Sequence, residues 1–254
     1  MKIHPEVHRF PGGLTLVLAE MPGMASVSVG IWVAVGGRYE GEVLNGASHF
    51  IEHMLFKGTR RRSAREISQA VEGLGGYLNA FTAEENTCFY AKAPREHFAG
   101  VFEVLTDMVL NSRFDPDDLG KEREVIKEEV AMYRDQPHHR VEELLNAMQW
   151  PDQPLGRPLT GTEQTLDGLT RERLLDHRRA HYVGPAMVVA CAGGLRPAAC
   201  RDAARKLAGR LPGSVRPPFF LLIRGSPLPI RPRSFTESDS APATLSVVPN
   251  EVVL

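Results

Sequence analysis

Two histidines four positions apart, His49 and His53, with Glu52 between them, are the residues of this 254-residue chain whose types and spacing point to chemistry. On a helix, residues four apart share a face one turn above each other. Both imidazoles can then aim a ring nitrogen at one metal ion, and Glu52, three residues after His49, projects to the same side. Phe50, Ile51, Met54 and Leu55 supply the apolar faces that would bury such a helix. A tetrahedral catalytic zinc takes three protein ligands and keeps one position for water, so a third ligand must come from elsewhere. A surface helix that carries His and Glu without a metal is the competing reading.

The best supplier of a third ligand is the stretch Glu122-Arg123-Glu124-Val125-Ile126-Lys127-Glu128-Glu129. Glu122 and Glu129 are two helical turns apart, on the face that also carries Ile126 and Tyr133, whereas Glu124 and Glu128 point elsewhere. A helix turns its apolar-rimmed side inward, which makes Glu122 and Glu129 the carboxylates expected to be buried. A buried carboxylate needs a cation or hydrogen bonds to offset its desolvation, and a metal would meet that need. Without one, a solvated face is the ordinary fate of so charged a helix. The other histidines compete weakly. His138-His139 follows Pro137 at an expected helix start, and His177 and His181 lie four apart in a charged helix with no base-like Glu between them. No G-x-S-x-G or Cys/His signature accompanies the serines and cysteines.

These residues need elements to position them. Leu14 to Leu18 and Val27 to Val35 read as two adjacent antiparallel strands joined by the turn chemistry of Glu20 to Met24. A compact helix from about Ala47 to Phe56 follows, with Asn45 as the expected N-cap and Gly58 as the stop. Ser63 and Glu66 form a capping box that opens a second helix. Tyr77 to Phe81 and Thr87 to Ala93 read as a hairpin. A long amphipathic helix runs on from Phe98, and Asp115-Pro116 opens the Glu-bearing helix, which should stop near Pro137. Val141 to Trp150 reads as helix, Pro151 to Gly168 as loop, Thr170 to Tyr182 as a charged helix, Met187 to Ala192 as a buried strand and Pro197 to Leu211 as a last helix. The pattern predicts an α+β fold, a mixed and mostly antiparallel sheet with helices packed on it. Residues 1–211 are expected to form one metal-binding domain, and 212–254, interrupted by prolines throughout, a linker and irregular tail.

Composition excludes several function classes. A net charge of -1 gives no reason to expect nucleic acid or an anionic membrane as partner. The longest apolar stretch, Val27 to Val35, is far short of the ~20 residues that span a bilayer. Three cysteines without a CxxC pair argue against a disulfide scaffold, and no signal-peptide core follows Met1-Lys2. A soluble, cytoplasmic protein is the expectation.

His49-Phe50-Ile51-Glu52-His53, followed by Met54 to Thr59, resembles the pitrilysin/insulinase family of zinc metallopeptidases, in which the HxxEH order is the inverzincin signature. Leu74-Gly75-Gly76-Tyr77-Leu78-Asn79-Ala80-Phe81-Thr82, Glu122 to Asp135, Pro154 to Pro158 with Gly161-Thr162, and Tyr182 to Gly193 resemble further family segments in the same order. The resemblance covers roughly residues 5–210. It implies one Zn2+ per chain held by His49, His53 and Glu129, with Glu52 as general base and Glu122 in a supporting acidic position. Glu128 becomes the ligand if the register is off by one. Asn79, Ala80 and Phe81 fall on the strand beside which an extended peptide substrate would add. Family members have two similar halves, so a second homologous half or a partner subunit is expected. The function implied is a zinc endopeptidase, the alternative a non-catalytic scaffold or assembly subunit, or an inactive fragment lacking its second half.

Overall fold

The computed structural model describes residues 4–212; the expected tail 212–254 lies, Pro212 apart, outside them. Six strands form one sheet: β1 (Glu6–Arg9), β2 (Thr15–Glu20), β3 (Ser26–Val33), β4 (Tyr77–Thr82), β5 (Thr87–Pro94) and β6 (Met187–Gly193). Their order is β1-β2-β6-β3-β5-β4. β2 and β6 run parallel, and the other four pairings are antiparallel. This is the mixed, mostly antiparallel sheet that the sequence predicts.

The alternation of β3 shows why the sheet packs on one side. Val27, Val29, Ile31 and Val33 are buried, whereas Ser28 and Trp32 face outward, the two-residue period of a half-covered strand. The buried side is covered by helices α1 (Ala47–Phe56), α3 (Phe98–Asn111) and α8 (Pro197–Ala208). Nine residues of α3 are buried, including Val101, Phe102, Leu105 and Met108, so it is the central helix of the core. Helices α2 (Ala64–Glu72), α4 (Pro116–Arg134), α5 (Pro137–Gln149), α6 (Glu163–Gly168) and α7 (Arg171–His181) complete the layer. α2 opens with the expected capping box of Ser63 and Glu66. Asp115 caps α4 by accepting from the Asp117 amide at 3.0 Å.

Some expectations from sequence need correction. β2 and β3 are not neighbours, because β6 lies between them, paired to both. The linker from Met21 to Ala25 suggested a hairpin, but five residues are long enough to step across one intervening strand, a gap of ~10 Å. β1 was not foreseen, since an exposed edge strand such as Glu6–Arg9 has no buried face to impose alternation. The expected loop 151–168 contains α6, a short helix capped by Thr162, whose hydroxyl accepts from the Thr165 amide. Asn45 is not the cap of α1. That position belongs to Gly46, whose backbone is left-handed at φ 92° and which has no room for a Cβ against the Thr160 carbonyl.

Candidate metal centre

α1 presents two faces. Phe50, Ile51, Met54 and Leu55 are buried in the core, and His49, Glu52 and His53 are turned aside from it towards α4 and β4, two of the elements against which α1 packs. The helix is anchored at its start by Glu40, a buried carboxylate that accepts from the amides of Gly46 at 2.7 Å and Ser48 at 2.6 Å. A carboxylate there satisfies two of the amides a helix leaves free and sits at the positive end of its dipole. Asn45 donates to the Pro158 carbonyl at 2.9 Å and Arg157 to the Glu40 carbonyl at 3.1 Å, tying the 154–162 loop to the same end.

His49, His53 and Glu129 converge, with one donor atom from each lying within 4.8 Å of the others. Nε2 of His49 stands 3.7 Å from Glu129 Oε2, and Nε2 of His53 stands 3.6 Å from the same oxygen. Zinc bonds of roughly 2.0–2.1 Å set donor–donor edges of about 3.4 Å in a tetrahedron. Both imidazole–carboxylate distances are thus slightly wide of that figure and beyond direct hydrogen bonding. Two imidazoles and one carboxylate also match the ligand chemistry of catalytic zinc, so the residues present fit the ion. Glu129 is half-buried and Glu128 is exposed, which places Glu129, not its rival, at the meeting point.

Two of the three donors are held by a neighbour. Tyr133, one turn along α4, donates its hydroxyl to Glu129 Oε1 at 2.7 Å, leaving Oε2 towards the imidazoles. Glu122 is buried, and its Oε2 lies 3.1 Å from His53 Nδ1. That contact fixes the ring so that Nε2 points at Glu129. Lys57 in turn pairs with Glu122 Oε1 at 2.7 Å. His49 Nδ1 is buried without a partner among the described residues. Burial, assisted by the charge of His53, pushes the His49 pKa down to about 4, so the ring is neutral at pH 7, the form that binds metal.

Glu52 stands apart from the three donors. Its Oε2 accepts from Thr82 Oγ1 at 2.5 Å, and Thr82 ends β4, the sheet edge. Burial raises the Glu52 pKa above the usual carboxylate range, against the lowering effect of Thr82. A carboxylate so poised is a better proton carrier near neutral pH. On β4 itself, Asn79 and Phe81 are exposed and Ala80 is half-buried. The Ala80 amide donates to the Asn79 side-chain oxygen at 2.9 Å. Phe81 packs edge-on against Trp32, with ring centroids 5.5 Å apart.

The structure therefore brings together His49, His53, Glu129, Glu122 and Glu52, and puts Asn79, Ala80 and Phe81 on the adjoining edge strand. Sequence reasoning missed Glu40, Lys57 and Thr82. Lys57 sits four residues after His53, a spacing that could have flagged it; Glu40 lies too far ahead of the amides it holds to match a capping pattern, and Thr82 reaches Glu52 from another element. His177, expected on a charged helix, is buried with its Nε2 3.3 Å from Ser48 Oγ, one residue before His49.

Comparison with known proteins agrees with this geometry. Residues 15–163 match the insulinase family, peptidase family M16. An uncharacterized zinc protease of Bacillus subtilis is 40% identical over 190 residues, covering 75% of this chain and 46% of the relative. An uncharacterized zinc protease of Mycobacterium tuberculosis is 42% identical over 75% of this chain and 44% of its own length. A probable mitochondrial-processing peptidase subunit beta of Arabidopsis thaliana is 35% identical over 81% of this chain and 39% of that one. The chain thus spans less than half the length of these relatives. Among solved structures, an M16 peptidase inactive domain from Pseudomonas fluorescens superposes with a TM-score of 0.79 at 15% identity, over 85% of this chain and 53% of that one. A protease from Helicobacter pylori does so with a TM-score of 0.77 at 20% identity, over 80% and 50% of the two chains. At those identities the likeness is one of fold.

Proposed function

The chain belongs to the insulinase family, peptidase family M16, and from that premise we propose that it is the metal-binding half of a zinc-dependent endopeptidase acting on extended peptides. The observation that carries the reading is the convergence of His49, His53 and Glu129, with His53 oriented by Glu122 and Glu129 by Tyr133. Zinc held by these three supplies a Lewis acid for the scissile carbonyl and lowers the pKa of water at the site towards 7.

In this reading the chain's own groups do the rest. Glu52 takes the proton of the attacking water as the new carbon–oxygen bond forms, and delivers it to the amine nitrogen as the carbon–nitrogen bond breaks. Thr82 fixes the carboxylate for both steps. Glu122 keeps the His53 ring in one orientation and Tyr133 keeps the Glu129 carboxylate in one orientation. An extended peptide adds beside Asn79, Ala80 and Phe81 by main-chain hydrogen bonds, displacing the Asn79 side chain from the Ala80 amide. Such pairing reads backbone more than side chains and favours flexible peptides over folded proteins.

The match covers less than half the length of the relatives, which supports a second homologous half, supplied by a further segment or by a partner subunit, as a requirement for turnover. A cytoplasmic setting is part of the proposal. It is supported by three buried, unpaired cysteines and by the lack, among the described residues, of any helix long and apolar enough to cross a membrane. A role as a non-catalytic subunit is less well supported, because the ligand set and the base are all present. Cleavage of an unstructured fluorogenic peptide, assayed with and without the second half of a bacterial relative, tests the proposal. Zinc-dependent turnover abolished in Glu52→Gln supports it; turnover that survives in Glu52→Gln refutes it.

A further inference from the structure

The C-terminal end of α3, the connection from α3 to α4, and α7 enclose a cavity of about 430 Å³ whose charged lining is Arg60, Arg113, Arg171, Arg178 and Arg179. No carboxylate lines it. Arg179 pairs with Asp176 at 2.6 Å, and both side chains of that pair are about 70% exposed, so water screens it strongly. Arg171 donates to the main-chain oxygens of Phe114 at 2.6 Å and Arg113 at 3.2 Å, and Arg178 to that of Val109 at 2.6 Å. These neutral acceptors tie α7 to the α3–α4 connection but leave the charges uncompensated. The negative end of the α3 dipole offsets about half a charge.

The remaining capacity is larger. Arg60 and Arg113 have no carboxylate partner among the described residues. Arg178 lies over the Phe114 ring at 5.6 Å, and its Nε is buried without a hydrogen-bond partner. Burial pushes its pKa down, as expected of a cation removed from water without a counter-ion. Asp107, which accepts from the lining residue Asn111 at 2.6 Å, is already paired with Arg62 at 2.7 Å. Several guanidinium groups around one cavity repel one another, and that of Arg178 is half-buried with its Nε shut off from water. An anion would relieve both costs.

We propose that this cavity binds an anion of the phosphate class, either free phosphate or the phosphate group of a small organic molecule, with Arg60 and Arg113 as its open donors and Arg178 as its half-buried cation. Planar guanidinium forks match tetrahedral oxyanions two oxygens at a time. The volume exceeds that of a lone phosphate and falls in the range of small-molecule sites, leaving room for an organic moiety. The inference is independent of the peptidase reading, since none of these arginines touches His49, His53 or Glu129.

Isothermal titration of the full chain with inorganic phosphate and with glycerol 3-phosphate, against chloride at equal ionic strength, tests the site. Arg60→Gln/Arg113→Gln is the informative variant, because neither side chain makes a hydrogen bond that the fold uses; circular dichroism checks that it folds. The expected result is one saturable site per chain, at least tenfold weaker in the double variant and unchanged in Glu129→Gln. Tighter binding of glycerol 3-phosphate assigns the site to an organic phosphate, and equal binding assigns it to the free ion. No saturable binding of either probe, equal competition by chloride, wild-type affinity in the double variant, or loss in Glu129→Gln would each overturn the proposal, the last by placing the anion at the metal centre.

Discussion

The Tyr133 hydroxyl donates to Glu129 Oε1 at 2.7 Å, and the other oxygen of that carboxylate is the one that faces both imidazoles. One tyrosine thereby divides the labour of the two oxygens, one held and one free to ligate. The same contact, together with burial, raises the tyrosine's own pKa to about 12, so it remains a donor across the physiological range. Replacing Tyr133 with Phe should leave one zinc per chain but weaken its affinity about tenfold, the low end of what loss of an orienting partner costs. Competition with a chromophoric chelator measures this; unchanged affinity would remove Tyr133 from the account.

Glu52 should be separable from the metal. Glu52→Gln keeps the shape of the side chain and all three ligands, so zinc content should be unchanged while hydrolysis falls by a factor of 10²–10⁴ or more. Thr82→Val removes only the hydroxyl that holds Glu52. A hydrogen bond to a charged group is worth about 1.5–3 kcal/mol, and a misaligned base should lower kcat about tenfold with KM little changed. Steady-state kinetics with the second half supplied separates the two outcomes. A rise in KM alone would assign Thr82 to substrate binding instead.

His177 should make the fold sensitive to acid. Burial, with the neighbouring His181 ring 4.5 Å away, pushes its pKa down to about 3. In the unfolded chain it titrates near 6.5. Below that value the unfolded state takes up a proton that the folded state refuses. The contribution of His177 is therefore whole above pH 6.5 and is lost as pH falls towards 3, by up to about 1.4 kcal/mol per pH unit. Urea unfolding at a series of pH values should show a slope shallower by about one proton in His177→Gln between pH 6 and 4. Equal slopes in the two proteins would contradict the buried, neutral state of this ring.

Local patterns were legible in the sequence and long-range ones were not. Helical spacing alone put His49, Glu52 and His53 on one face and paired Glu129 with Glu122; in the structure His49, His53 and Glu129 converge, Glu122 lies against His53, and Glu52 is held by Thr82. The choice of Glu129 over Glu128 follows from which side of α4 is buried, and the resemblance to the family implied the same choice. The capping box of Ser63 and Glu66 and the proline starts of α4 and α5 were readable because each acts within a turn of its own helix. The place of β6 between β2 and β3 was not, since pairing across more than 150 residues leaves no mark on either segment. Thr82, which holds Glu52 from a separate strand, was likewise invisible until the chain was folded, and Glu40 lies too far ahead of α1 to match a capping pattern. α6 is too short for its periodicity to stand out from a loop.

The central claim is that His49, His53 and Glu129 hold one zinc ion. Elemental analysis of zinc per chain, on the wild type beside Glu129→Gln and Glu128→Gln, tests it without any need for the second half. The account predicts close to one zinc in the wild type and in Glu128→Gln, and loss in Glu129→Gln. No zinc in the wild type after reconstitution, or loss with Glu128→Gln in place of Glu129→Gln, would contradict it.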